Sequence, residues 1–458
     1  MVRLFNVYYP TRVLVLFGAE ALIVCASFLL AAVIRFGADS SLVLGYEYGT
    51  FKILAVTGLA LFLFYQADLY DPERLPSPGE VYSRLLVGLG VLSILLAALG
   101  YFFPSFPLGG GVFLIGLSLL TLALLVWRSV FSWLIRRPIL REKVCVIGPG
   151  NRAKRLVETL RTHPELGMDV LDWAGAEGDE SLTREAVAAS LAKMARERTV
   201  DRVIVGMTDR RGTLPVRELL DLRLSGIKIE DATALLEKVS GKIEVEELYP
   251  SWLIFSEGFR LSPVPMAVRR LVSLLASLVC LLVLTPLFPL IALAIKLSSA
   301  GPVFYRQQRV GKNGIVFTCY KFRTMRSDAE SQGTPSWASD NDPRVTMVGR
   351  FLRRTRLDET PQLWNVLKGE MGFVGPRPER PEFVEWLSQE IPYYHLRHLI
   401  RPGLTGWAQV RFGYGASLEE AREKLKYDLY YIKNLSLSLD LLIVFQTVKI
   451  VLLGRGSR

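Results

Sequence analysis

Histidine is scarce in this 458-residue chain, which has only His163, His395 and His398, and cysteine is nearly as rare, with four residues. Three scattered imidazoles do not make a histidine-rich metal centre. Cys25, Cys145, Cys280 and Cys319 lie far apart, two of them in apolar runs, and fit neither a zinc-ligand spacing nor a disulfide framework. They read as small buried apolar side chains. The first apolar run is long and no small-residue cleavage site is evident beside it, so a cleavable signal peptide is not expected. No recognised nucleic-acid-binding module accompanies the positive charge, and no nucleic-acid partner is expected.

What the chain has in quantity is apolar sequence and cations. Half of its residues are hydrophobic and its net charge is +11. This combination predicts a membrane protein facing anionic lipid or anionic substrates. Its length predicts two or three domains. Four apolar runs, near Val13–Ile34, Phe51–Tyr65, Leu85–Phe103 and Val112–Leu134, mostly approach the roughly 20 residues that cross a bilayer. Basic residues cluster before the first run (Arg3, Arg12), around the second loop (Arg74, Arg84) and after the fourth (Arg136, Arg137, Arg141, Lys143), while the loop Pro104–Gly111 has no charge. The positive-inside rule places both ends of the bundle in the cytoplasm, although Arg35 and Lys52 flank the first loop. No charge within the runs suggests a transport path, so the bundle reads as an anchor or an oligomerisation module, with a homo-oligomer left open.

From Lys143 the texture becomes α/β. Strands are predicted at Val144–Ile147, Val170–Ala174, Arg202–Met207 and Ile227–Glu230, with helices at Ser181–Arg198 and Leu214–Leu224 between them. Alternating βα units imply a parallel, Rossmann-like sheet. Gly148, Gly150 and Ala153 fit the G-x-G-x-x-A phosphate cradle between a strand and a helix. A bound nucleotide is one reading and a tight packing turn is the other; Asp172 is only a fair candidate for the ribose-binding acid. Residues 241–265 read as a linker with some strand character.

A second membrane element follows. Leu271–Ile295 is uninterrupted apolar sequence between Arg269–Arg270 and Lys296, but Thr285-Pro286 and Pro289 break its helical pattern. A full crossing would put everything beyond it outside the cell. A helix-break-helix that enters and leaves one leaflet avoids this, with the break at Pro286 and Pro289. Near the end of the chain, Leu437–Leu453 is apolar but holds Asp440, Gln446 and Lys449, and reads as an interfacial helix.

Between Asp342 and Arg380 the chain packs the adjacent carboxylates Asp358 and Glu359 among Arg350, Arg353, Arg354 and Arg356, with a Gly-Pro-Arg-Pro turn, Gly375–Pro378, downstream. Arginine forks match phosphate oxygens, and neighbouring cations keep a carboxylate ionised. An ionised Asp can attack phosphorus, and a Glu can hold a divalent metal. Alone, such a pair is more often a solvated helix face. Lys321 and Arg323 alternate with Phe322 and Thr324 and could present cations to a diphosphate. The polar stretch Ser327–Asp340 reads as a loop near the site, and Leu363, Trp364 and Leu367 as an apolar core stripe.

The segments YRQQRVGKNGIVFTCYKFRTM, RTRLDETPQLWNVLKGEMGFVGPRPE and RPGLTGWAQV, in this order from about Met266 onward, resemble the bacterial polyprenyl-phosphate sugar-1-phosphate transferases, the monotopic phosphoglycosyl transferases. The resemblance implies transfer of a sugar 1-phosphate from a UDP-sugar to undecaprenyl phosphate in the bacterial cytoplasmic membrane. UMP is released, and exopolysaccharide, O-antigen or capsule synthesis begins. It implies Asp358 as nucleophile, Glu359 as the Mg²⁺ ligand, and Lys321, Arg353 and Arg377 as phosphate-binding groups. Some relatives carry a sugar-nucleotide arginine about two residues past GWAQV; here Arg411 follows Val410 directly, so that role is open. The expected architecture is a four-span helical domain (1–140), a Rossmann-like accessory domain (141–262), and a re-entrant helix with an α/β catalytic domain (263–458). Two alternatives are a membrane-bound nucleotide-sugar dehydratase and a non-catalytic scaffold. The first needs a Tyr-x-x-x-Lys pair after the glycine turn, but the only match, Tyr48 and Lys52, precedes it. The intact Asp-Glu pair and Pro-Arg-Pro turn argue against the second.

Overall fold

The computed structural model describes residues 1–46, 48–71, 78–103, 110–135, 137, 141–174, 191, 200–207, 214–247, 256, 258–259, 262–326, 342, 344–413 and 417–452. The expected loop at Ser327–Asp340 lies outside them, as does the expected helix Ser181–Arg198 apart from Leu191, and much of 241–265. The chain divides into two compact units, Met1–Val2 with Tyr8–Leu236, and Arg3–Val7 with Glu237–Arg458.

In the first unit four long helices, α1 (Thr11–Phe36), α2 (Gly49–Gln66), α3 (Pro78–Phe102) and α4 (Gly110–Ile135), coincide with the four apolar runs. They share a core of Val24, Phe28, Phe64, Leu92, Leu120 and Leu124. Glycine makes the close crossing possible: a Cβ on Gly116 would lie 2.7 Å from the Phe28 ring. Leu22, Ile94 and Leu122 stand exposed on the outside, as lipid-facing positions should. Two charges inside the runs have a partner that the sequence conceals. Glu20 on α1 and Arg128 on α4 are both buried and pair at 2.5 Å, and Tyr70 donates to the same carboxylate. Mutual neutralisation lets an acid and a base sit among apolar helices.

The same unit contains a parallel sheet of β1 (Glu142–Ile147), β2 (Met168–Ala174), β3 (Arg202–Val205) and β4 (Lys228–Asp231), in the order β2-β1-β3-β4. Helices α5 (Asn151–Thr162) and α6 (Val216–Leu224) accompany it. β1 runs into Gly148, whose φ is +129°; a side chain there would meet the Gly206 and Met207 backbone at 2.8 Å. Gly150, at φ +94°, caps α5, and Ala153 is fully buried.

The second unit opens with α7 (Pro263–Leu284), a 3₁₀ turn at Thr285–Leu287 and α8 (Phe288–Ser298). Pro286 and Pro289 occupy the first turns of the two new segments, where the missing N–H costs least. Among the described residues five stretches are long and apolar enough to cross a membrane: the four above, and Pro263–Ser298. A hairpin of β5 (Phe304–Val310) and β6 (Val316–Phe322) follows, then α9 (Met347–Arg354), a 3₁₀ turn (Leu357–Glu359) and α10 (Gln362–Lys368). β7 (Gly372–Val374) and β8 (Gly403–Thr405) pair in parallel. Helices α11 (Pro381–Glu390), α12 (Trp407–Arg411), α13 (Leu418–Lys433) and α14 (Leu437–Leu452) complete the unit.

Both ends of the apolar element dock on this unit. At its start Arg270 donates to the Val366, Leu367 and Met371 carbonyls, capping the C-terminus of α10. At its end Ile291 and Ile295 pack on Phe322 and Leu352. The stripe expected at Leu363, Trp364 and Leu367 is only partly core: Leu363 is buried but Trp364 is 51% exposed. In α14 the polarity is turned inward. Asp440 is paired with Arg269 at 2.6 Å, while Leu441, Phe445 and Val448 face outward.

Candidate active site

The site begins with the pleat of β6. Phe317, Cys319 and Lys321 share one face. The first two pack on Val366 and Met371, which leaves Lys321 at the end of the covered row, beside Glu359. Asn365 fixes α10 against this strand. Its amide donates to the Thr318 carbonyl at 2.7 Å and accepts from the Tyr320 N–H at 3.2 Å.

α9 delivers the carboxylates. Thr346 caps it, accepting from the Gly349 N–H at 2.9 Å. The helix lies directly on the backbone just past β6: Thr346 N–H donates to the Thr324 carbonyl at 3.0 Å, and Arg353 Nε donates to the Thr324 hydroxyl at 3.0 Å. The helix ends where Arg356 turns left-handed, at φ +59°. The following turn carries Asp358 and Glu359 inward, each 8% exposed.

Three cations converge on Glu359. Lys321 Nζ lies 2.7 Å from Oε1, Arg377 donates through Nη2 to Oε1 at 2.6 Å and Nη1 to Oε2 at 3.4 Å, and Arg356 stands 4.0 Å from Oε2. Burial opposes ionisation of Glu359, but the charges of Arg377 and Lys321 outweigh it and hold the carboxyl well below its ordinary range. Asp358 is pushed the other way, up to about 6, first by burial and then by the charge of Glu359; Lys321, Arg353 and Arg377 act against this rise. Two adjacent carboxylates are thus held unequal. One is locked as an anion by cations, and the pKa of the other is raised by its burial beside that anion.

Arg377 reaches the site from a turn clamped by a second glycine-rich strand. Gly375 N–H donates to the Thr405 carbonyl at 2.8 Å and Gly403 N–H to the Pro376 carbonyl at 2.9 Å. A Cβ on Gly403 would stand 2.0 Å from the Gly375 nitrogen, and one on Gly406 2.2 Å from the Gly375 oxygen. The RPGLTGW segment is therefore a backbone-to-backbone clamp for the Pro-Arg-Pro turn, a role its composition alone does not reveal.

The structure brings together Lys321, Asp358, Glu359 and Arg377, with Arg353 alongside on Thr324. Arg411 has a different neighbour, its guanidinium lying 4.8 Å from the centre of the Trp407 ring. Arg323 is buried and donates to the Ser299 carbonyl at 2.6 Å, at the end of α8. Gly148, Gly150 and Ala153 form the strand-turn-helix of the first unit, where the neighbouring Asp172 is exposed. Sequence reasoning missed Thr324, Asn365 and the glycine clamp. Their signal was only the density of Gly and Thr around the charged motifs. Among the described residues no group of three or more His, Cys, Asp or Glu gathers as a metal cluster.

Residues 264–454 match the family described as bacterial sugar transferase. The chain is similar to the UDP-N-acetylgalactosamine-undecaprenyl-phosphate N-acetylgalactosaminephosphotransferase of Aeromonas hydrophila, at 42% identity over 243 residues, covering 53% of this chain and 56% of that protein. It is 34% identical over 352 residues to the undecaprenyl-phosphate glucose phosphotransferase of Komagataeibacter xylinus, covering 74% of this chain and 65% of that one. These two matches therefore span less than two thirds of either relative's length. It is also 34% identical over 407 residues to the UDP-glucose:undecaprenyl-phosphate glucose-1-phosphate transferase of Escherichia coli K12, covering 83% of this chain and 84% of that one.

Proposed function

The chain belongs to the bacterial sugar transferase family, and on that premise we propose that it transfers a sugar 1-phosphate from a UDP-sugar to undecaprenyl phosphate. The products are UMP and an undecaprenyl-diphospho-sugar, the starting unit of an exopolysaccharide, O-antigen or capsule. The observation that carries this reading is the buried Asp358–Glu359 pair ringed by Lys321, Arg353 and Arg377. The names of these three relatives each include undecaprenyl phosphate and support the same acceptor.

In the first step an Asp358 carboxylate oxygen attacks the β-phosphorus. The bond from that phosphorus to the bridging oxygen breaks, and UMP leaves with the electron pair. The sugar phosphate is then an acyl phosphate on Asp358. In the second step an oxygen of the polyprenyl phosphate attacks the same phosphorus, and the Asp358 carboxylate is released. Arg377 and Lys321 stabilise charge on the phosphoryl oxygens, and Arg353 orients the donor. Without such cations an anionic nucleophile would be repelled by an anionic substrate.

The residues also fit a magnesium ion. Mg²⁺ is commonly held by one or two carboxylates, with phosphates and water completing its shell, and the adjacent buried carboxylates of Asp358 and Glu359 offer the oxygens it takes. Glu359 would hold it, and when bound it would neutralise diphosphate charge.

The re-entrant reading of Pro263–Ser298 is supported by the docking of both its ends on one unit and by the proline turn between them. A straight helix of 36 residues would be about 54 Å long, against a hydrocarbon core of about 30 Å. On this reading residues 1–140 are a four-span anchor, 141–262 a Rossmann-like accessory domain with the strand order β2-β1-β3-β4, and 263–458 the catalytic domain on the cytoplasmic face of the membrane. The outward apolar face of α14 would rest in the same leaflet.

The test is UMP release by purified protein in lipid nanodiscs, with undecaprenyl phosphate, Mg²⁺ and a panel of UDP-sugars. Release with one sugar, reduced about a thousandfold in Asp358→Asn, is expected. Near-normal turnover in that variant would refute the nucleophile, and no release with any UDP-sugar would refute the donor class.

A further inference from the structure

The Pro-Arg-Pro turn presents its backbone in an unusual way. Neither Pro376 nor Pro378 has an N–H, so the turn is held through carbonyls. Three consecutive ones, from Pro376, Arg377 and Pro378, each accept from a different element: Gly403 N–H at 2.9 Å, Arg397 Nη2 at 3.0 Å and Arg309 Nη1 at 2.9 Å. The middle donor is costly to keep. Arg397 is 6% exposed, and its charge is balanced by the equally buried Asp428 of α13, 2.9 Å from the same Nη2. Its Nη1 donates to the Tyr394 hydroxyl at 2.5 Å, which fixes the plane of the fork. Arg309 is aligned by Gln307 and Glu379, at 2.5 and 3.5 Å. A buried ion pair is a costly way to satisfy a turn carbonyl, because taking both charges out of water opposes much of their mutual attraction.

We infer that Arg397, braced by Asp428, is a positioning residue. By holding the Arg377 carbonyl it sets the direction from which the Arg377 guanidinium meets Glu359 and the phosphates, with Arg309 fixing the next carbonyl. Neither Arg397 nor Asp428 is assigned contact with substrate. The inference rests on the reading of Arg377 as a phosphate-binding group. Guanidinium placement matters because displacement of a positioned group by about 1 Å can cost a hundredfold in rate.

The experiment is a double-mutant cycle on the full-length protein in nanodiscs, read by UMP release. Arg397→Lys keeps the charge beside Asp428 but loses the fork. It should lower kcat at least tenfold, with KM for the UDP-sugar changed less than threefold. Arg377→Ala alone should lower kcat about a hundredfold or more. In the Arg377→Ala background, Arg397→Lys should cost less than twofold, because no guanidinium remains to be positioned. Asp428→Asn is the second variant, should Arg397→Lys fail to fold, and it should show the same loss of effect in that background. Additive losses in the cycle would make the pair merely structural and overturn the inference while leaving Arg377 in its role. Normal activity of Arg377→Ala would overturn the underlying reading and the inference with it.

Discussion

Gly349→Ala should inactivate the protein while leaving it folded. A Cβ at this position would stand 2.0 Å from the Thr324 carbonyl oxygen and 2.7 Å from its carbon. Carbon–oxygen contacts settle at about 3.3 Å, so α9 must lift from the Thr324 backbone by about 1 Å. It has no slack to do so, because Thr346 N–H and Arg353 Nε are both bound to Thr324 at 3.0 Å. Overpacking of this kind costs about 1–3 kcal/mol, while Ala in place of Gly returns roughly 1 kcal/mol of helix propensity. The net loss of stability is therefore small, about 0–2 kcal/mol. The site has no such compensation. Asp358 and Glu359 hang from the end of α9, and a shift of about 1 Å in reacting groups costs on the order of a hundredfold. Steady-state UMP release and thermal unfolding by intrinsic fluorescence, in the same nanodiscs, give both numbers. Turnover within threefold of the wild type would refute the claim that this helix–strand contact registers the carboxylates.

Two further outcomes follow from other contacts. Arg270→Met removes a charged donor from the Val366 and Leu367 carbonyls at the end of α10 and from the Met371 carbonyl beyond it and should destabilise the second unit by about 2–3 kcal/mol; an unchanged melting temperature would show that the start of the apolar element is not anchored there. His398 is kept neutral, its pKa lowered from 6.5 to about 4 by burial and then by the charge of Arg397. The unfolded chain takes up this proton first as pH falls. The associated stability is thus fully present above pH 6.5 and is lost toward pH 4, up to about 3 kcal/mol. His398→Gln should flatten the fall of melting temperature over that interval, and parallel curves for variant and wild type would contradict the assignment.

The sequence exposed what is local. The four runs of the bundle and the prolines at 286 and 289 could be placed because hydrophobic length and proline geometry act within one segment. The charged motifs pointed to Lys321, Glu359 and Arg377, which the fold brings within hydrogen-bond reach although 38 and 18 residues separate the first and last of these from Glu359. What remained hidden depends on distant pairing. Glu20 and Arg128 lie 108 residues apart, and within their separate apolar runs neither shows that it neutralises the other. Arg397 and Asp428 look like ordinary solvated charges until α13 buries both. Gly349, Gly403 and Gly406 announce only the absence of a side chain, while the backbone that needs that space belongs to another element. Trp364 misleads for the opposite reason: an apolar residue on a helix next to buried ones reads as core, and the helix turns it outward.

The most direct test of the central claim is a chemical trap. The protein would be incubated with a UDP-sugar labelled with ³²P at the β-phosphate, without lipid acceptor, quenched in acid and digested for peptide mapping. The account predicts one hydroxylamine-sensitive label on the peptide containing Asp358, chased off by undecaprenyl phosphate and missing in Asp358→Asn. An active wild-type protein that carries no label, or carries it on another residue, would contradict it.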